Sequence, residues 1–162
     1  MLNIICAVST VLTGLAWGLY KSSYLKKRAE LLSDFILMFR DIDIEIRCRQ
    51  TPLLNIIENF SERHVFLKNI MEPLRGGGKP ETAWAAESEK LYPLTAEDKR
   101  IIISVGKSLG KSDTESQTAM LESNRLYLSA NLEAARAEYE KKGKMYRSVG
   151  VLTGLLAAVI II

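Results

Sequence analysis

Apolar residues crowd the two ends of the chain, and between them they recur in a helical rhythm. Residues 1–20 and 149–162 contain no Lys, Arg, Asp or Glu, so all 22 basic and 19 acidic side chains lie between Lys21 and Ser148. Inside that charged interval Leu32, Phe35, Phe39, Ile42 and Ile46 recur at alternating steps of three and four, the spacing of one helix face. The first hydrophobic segment is therefore expected to run on as one continuous helix. Thr51 and Pro52 predict an N-cap followed by proline at the first helical position, with Leu53, Ile56, Ile57 and Phe60 as the apolar face. Ser61 is expected to cap a further stretch carrying Val65, Phe66 and Ile70, ending before Arg75.

Gly76, Gly77 and Gly78 read as a flexible connector, after which Pro80 and Glu81 open a helix through Trp84 to about Leu91. Thr95, with Glu97 and Asp98 in its first turn, starts another helix whose face is Ile101, Ile102, Val105 and Leu109. Gly110 stands where a C-terminal glycine stop belongs, and Ser112 or Asp113 is placed to cap the last and longest helix. Leu121, Leu128, Leu132, Ala135 and Tyr139 carry its apolar face, and no segment alternates with the period of a strand. The expected fold is all-α: an antiparallel helical bundle over residues 21–148 between two terminal hydrophobic helices, 1–20 and 149–162.

The uncharged ends are what separate this chain from a soluble globule. Residues 1–20 are about long enough to cross a hydrocarbon core of about 30 Å at about 1.5 Å per residue. A cleaved signal peptide requires positive charge before the apolar run, whereas Lys21, Lys26, Lys27 and Arg28 follow it, which favours a retained anchor. Trp17, Tyr20 and Tyr24 fall at the charged boundary, where amphipathic rings settle at a membrane surface. Residues 149–162 would reach only about 21 Å as a helix, so a locally thinned bilayer or a buried core helix are the alternatives for that segment. Lys141, Lys142, Lys144 and Arg147 flank it on the inner side, and the positive-inside rule then places residues 21–148 in the cytoplasm with both termini across the membrane. Gly14 with Gly18, and Gly150 with Gly154, give each terminal segment a small-residue pair one turn apart, suited to mutual helix packing.

Candidate chemistry is sparse. A net charge of +3, without a basic stripe or interleaved aromatics, gives no reason to expect nucleic acid. Cys6 and Cys48 fall on opposite sides of the first boundary and do not suggest a disulfide. His64 has no second His or Cys near it in sequence, and Gly76-Gly77-Gly78-Lys79 is followed by Pro80 where a nucleotide loop needs Ser or Thr. No metal and no cofactor is expected. Asp41, Asp43 and Glu45 interleave with Arg40, Arg47 and Arg49, an alternation that reads as a solvated helix face. Within it Arg40, Asp41, Glu45 and Arg47 form a mixed-sign surface suited to salt-sensitive docking.

Four segments stand out together: Thr51-Pro52-Leu53, Thr82-Ala83-Trp84, Leu109-Gly110-Lys111-Ser112-Asp113 with Gln117, and the run from Gly150 through Leu156. In order and spacing they resemble the stage III sporulation protein AB family of endospore-forming bacteria. The resemblance spans the chain from the first hydrophobic segment to the last. That family is related to the cytoplasmic domain of the platform protein of type II secretion and type IV pilus machines, a small helical bundle. It implies a channel-like complex across the double membrane around the engulfed forespore, needed for continued forespore gene expression. The implied partner is a secretion-type ATPase similar to stage III sporulation protein AA, together with other membrane proteins of the same operon. The chain lacks the additional membrane helices and second cytoplasmic domain of a full platform protein.

Three functional classes follow: a structural platform coupling a cytoplasmic motor to a membrane complex, a tethered regulator that only localises the ATPase, and an enzyme. The last lacks a recognisable pair of catalytic carboxylates, a nucleophile elbow or metal spacing. The corner at Leu109, Gly110, Ser112, Asp113 and Gln117 reads as a fold element, with a partner contact as its alternative.

Overall fold

The computed structural model describes residues 2–49 and 51–161; the surroundings of side chains 2–8, 10, 147, 154, 155 and 157–161, Gly154 among them, lie outside the described residues. Among the described residues six helices follow one another: α1 (Leu2–Arg49), α2 (Leu53–Phe60), α3 (Val65–Arg75), α4 (Pro80–Glu89), α5 (Ala96–Ser108) and α6 (Thr114–Ile161). No strand occurs among the described residues. α1 and α6 are each 48 residues long, so the first helix matches the last. The chain divides into two compact units, residues 30–132 and the pair made by the chain up to Ala29 with the chain from Glu133 onward.

In the 30–132 unit the helical rhythm of the sequence becomes the core. Leu32, Phe35, Phe39, Ile42 and Ile46 of α1 are all buried, as are Ile56 and Ile57, Phe66 and Ile70, Ile102 and Val105, and Leu121 and Leu128. Val65 departs from the expectation: it is the first residue of α3 and 73% exposed, so the buried face starts one position later, at Phe66 and Leu67. A chain of rings ties the helices together. Phe35 of α1 meets Phe66 of α3 edge-on at 4.9 Å, and Phe66 meets Trp84 of α4 at 5.0 Å. The buried indole N–H of Trp84 donates to the Ile102 carbonyl of α5 at 2.9 Å, and the ring lies flat against Gly106.

Local capping corrects the sequence expectations at two places and resolves a third. Thr51 does not cap α2; Pro52 is the N-cap residue, and the Thr51 hydroxyl donates to Glu45 at 3.2 Å instead. Ser61 closes α2, its hydroxyl donating to the Glu58 carbonyl, and α3 begins after His64 without a side-chain cap. Asp113, rather than Ser112, caps α6, accepting from the Ser116 N–H at 2.9 Å and the Ser116 hydroxyl at 2.7 Å. The Thr95 capping box is formed with Asp98, which is fully buried and accepts from Asn131 at 2.8 Å. The triple glycine is a hydrogen-bonded helix end, with the Gly78 N–H donating to the Pro73 carbonyl and the Gly77 N–H to that of Leu74, each at 3.0 Å.

In the second unit the first part of α1 and the last part of α6 run antiparallel. Gly150 packs so closely that a Cβ there would stand 2.5 Å from the Gly14 carbonyl oxygen and 3.2 Å from the Gly18 Cα. Trp17 and Tyr146 meet edge-on at 6.0 Å, and further along a Cβ on Gly143 would stand 3.2 Å from the Ser22 hydroxyl. Arg28 and Glu138 face each other at 3.8 Å, and Lys142 pairs with the same carboxylate at 2.7 Å. Small residues thus face inward, while Leu12, Trp17, Leu19, Tyr20, Leu152 and Leu156 are exposed by 48% or more. Among the described residues no helix is long and apolar enough to cross a membrane.

Replacing Gly106 by Ala tests the ring contact. In a helix interior Ala ordinarily stabilises relative to Gly by about 0.5–1 kcal/mol. At Gly106 the added Cβ would fall 2.8 Å from the Trp84 Cδ2 and nearer still to Cδ1 and Cγ. Overpacking of about 1–3 kcal/mol outweighs the propensity gain, so Gly106→Ala should lower the midpoint of thermal unfolding of the full chain. A raised midpoint would show that the indole yields easily.

Candidate partner-docking site

The α5–α6 corner is built from a short run of backbone requirements. Leu109 ends α5 with its N–H on the Val105 carbonyl at 3.0 Å and its side chain buried. Gly110 turns the chain with φ +76°, a left-handed conformation in which a side chain costs about 1–2 kcal/mol. Gln117, one turn into α6, grips this turn with both ends of its amide. It accepts from the Gly110 N–H at 2.9 Å and donates to the Ser112 carbonyl at 2.6 Å. Gln117 thus braces its own corner.

The corner meets another segment of the resemblance. A Cβ on Gly110 would lie 3.5 Å from Leu53, so Thr51-Pro52-Leu53 and Leu109-Gly110-Lys111 share one end of this unit. Between them opens a cleft of about 630 Å³ whose floor is Ile46, Leu53, Ile56 and Leu109 and whose walls include Thr51, Pro80, Thr114 and Gln117. Lys79, Glu81 and Lys111 are its charged lining. The Lys111 ammonium is ion-paired with Glu81 across the rim. That hydrogen bond and charge, with Lys79 and Lys107 adding at longer range, hold the Glu81 carboxyl below its ordinary range. Trp84 of the third segment lies behind the cleft, against Gly106, which also lines it.

The mixed-sign run on α1 is placed differently from the solvated face expected of it. Asp41 and Glu45 are 8% and 9% exposed, and both turn inward; only Arg40 and Arg47 are exposed. Asp41 accepts from Arg63 at 3.1 Å and Arg40 at 3.4 Å, with the His64 Nε2 at 3.3 Å. Burial pushes its carboxyl up, but these three partners outweigh burial and leave it below its ordinary value of 3.8. Glu45 accepts from Arg49 at 3.0 Å and from Thr51, while Arg47 pairs with Asp43 at 2.9 Å. These carboxylates fasten α1 to the loops before α2 and α3. A smaller cleft of about 400 Å³ lies beside Asp41, floored by Phe35, Met38 and Phe66.

Of the residues singled out in sequence, the structure gathers Leu109, Gly110 and Gln117 at the large cleft, with Ser112 and Asp113 completing the turn. It brings Gly14, Gly18 and Gly150 together in the other unit. Arg40, Asp41, Glu45 and Arg47 do not form a single exposed surface. Sequence reasoning missed Lys79, Glu81 and Lys107 as neighbours of the corner, since helical periodicity does not reveal which helix ends converge. It also missed Ser22 and Gly143, although Ser22 continues the four-residue spacing of Gly14 and Gly18. Among the described residues no three His, Cys, Asp or Glu side chains are grouped to hold a metal ion.

The described residues are all-helical apart from their connections, and the family to which the chain is matched has a role in sporulation. The chain belongs to the stage III sporulation protein AB family, whose family model matches residues 3–162. Neither the curated proteins nor the solved structures contain a significant match to it.

Two measurements follow. Gly110→Ala should lower the stability of the full chain by about 1 kcal/mol in chemical unfolding, because the strain lies in φ and not in lack of space. For Asp41, a native pKa below the unfolded 3.8 means its ion pairs contribute stability above that value and lose it as the pH falls through the native one. The stability difference between wild type and Asp41→Asn should therefore be constant near neutrality and shrink below pH 3.8; a difference that grew on acidification would reverse the assignment.

Proposed function

We propose that the protein is a non-enzymatic membrane component of a secretion-like channel complex needed for endospore development. In this reading residues 21–148 lie in the mother-cell cytoplasm and serve as the platform for a secretion-type ATPase similar to stage III sporulation protein AA. The terminal segments anchor the bundle in the mother-cell membrane around the forespore, beside other membrane proteins of the operon.

The observation that carries the membrane part is the inverted packing of the terminal pair. Glycines face inward at Gly14, Gly18 and Gly150, and large apolar side chains such as Leu12, Trp17, Leu152 and Leu156 face outward. Helix pairs in lipid pack this way, because close backbone approach and not burial of apolar surface drives their association. The basic residues flanking both segments support the cytoplasmic orientation. For the platform part, the support is the convergence of two family segments on one cleft, with Trp84 of a third packed behind it.

Cys48 is exposed on α1, which makes the orientation directly measurable. In a Cys6→Ser background, an impermeant thiol reagent should leave Cys48 unlabelled in intact cells and label it once the membrane is opened. Labelling of intact cells would place the bundle outside. For the platform, the full chain in detergent should co-purify with the ATPase at low salt and release it at high salt. Failure to associate under either condition would contradict the platform reading.

A further inference from the structure

We propose that the large cleft is a socket for an acidic segment of a partner protein, which enters with one large apolar side chain as its anchor. The inference rests on the platform reading above and deepens it by naming the surface and the chemistry of the segment it receives. A cleft of about 630 Å³ lies within the range of about 300–1,000 Å³ typical of sites that enclose a ligand group. Its floor of Ile46, Leu53, Ile56 and Leu109 suits an apolar anchor, and Gly110 at the lip has no side chain to block approach to the backbone.

The rim decides the sign of the partner. Glu81 neutralises Lys111, but Lys79 and Lys107 are exposed, have no ion-pair partner among the described residues, and stand close enough to act on the same carboxyl. Lys79 therefore adds an uncompensated positive charge to the cleft wall beside the apolar floor, and Lys107, outside the lining, adds a second on the Glu81 side. The smaller cleft offers no such excess, since its lining sets Arg40 and Arg63 against Asp34, Asp41 and Glu87. Charges at a rim act mainly on the rate of encounter and on salt dependence, leaving the buried anchor to supply the lifetime of the complex.

Two probes on the full chain in detergent micelles separate this inference from the reading beneath it: the purified ATPase, and a fluorescein-labelled peptide with one Phe flanked by glutamates, with a lysine version as control. Lys79→Glu with Lys107→Glu should weaken binding of the acidic peptide roughly 3-fold for each reversed charge, a shift that high salt erases. Glu81→Lys should strengthen it, although that change breaks the Lys111 pair. If the pair were merely structural, Glu81→Lys would weaken binding as the lysine reversals do, and that outcome overturns the proposal. So does a lysine peptide that binds as well as the acidic one. Lys68→Glu, exposed on α3, should leave both probes unaffected, and thermal unfolding of each variant checks the fold. If the ATPase binds wild type and both lysine reversals equally, the platform reading stands and the socket is wrong. If the acidic peptide follows the predicted order while the ATPase binds nothing, the socket stands and its occupant is a different acidic protein.

Discussion

The 30–132 unit depends on a single indole. Trp84 of α4 sits 2% exposed against α3 and α5, with its N–H bonded to the Ile102 carbonyl, its edge toward Phe66 and its face on the bare backbone of Gly106. An aromatic side chain of this size removes about 150–250 Å² from water, worth on the order of 4–6 kcal/mol at about 25 cal/mol per Å². A buried donor without a partner would forfeit about 1–3 kcal/mol of that. The Ile102 carbonyl supplies the partner, and the missing side chain at Gly106 supplies the room. Because Phe66 leads on to Phe35, the same contact fixes α3 and α4 against α1. The end of α5 follows from it, and with it the position of the corner at Gly110.

That chain of dependence explains how a structural motif and a proposed docking surface come to share residues. The corner needs Gly110 for its φ and Gln117 to satisfy the turn, and neither requirement concerns a partner. Once formed, the corner stands beside Leu53 and Glu81 and leaves a cleft that the protein does not fill. The same residues then shape a fold element and the wall of a candidate socket, while the lysines of the rim are free of any role in the core. Function in this reading resides in the exposed Lys79 and Lys107, and fold in the buried Leu109 and Trp84.

Much of the architecture was legible in the sequence because helical amphipathicity is a local signal. The five apolar positions of α1, the capping box at Thr95 and the stop at Gly110 all lie where the spacing put them. What escaped was governed by contacts distant in sequence. Asp41 and Glu45 looked solvated because charged residues usually are, yet Arg63 lies 22 positions from Asp41 and makes its burial affordable. Thr51 gave up its cap to reach Glu45, and Ser61 closed the helix before it rather than opening the next. The cleft depends on the ends of α2, α4, α5 and α6 converging, which no window of adjacent residues contains.

The account stands or falls on the terminal pair being immersed in lipid, which the exposed apolar side chains and inward glycines argue for on physical grounds. Nitroxide side chains placed singly at Leu12, Leu15, Leu19, Leu152 and Leu156 of the full chain in lipid bilayers report collisions with oxygen and with a water-soluble nickel chelate. The account predicts high oxygen access and little nickel access at all five, with the reverse at Gly77 between α3 and α4. Nickel access at Leu12, Leu15 and Leu152 equal to that at Gly77 would contradict it.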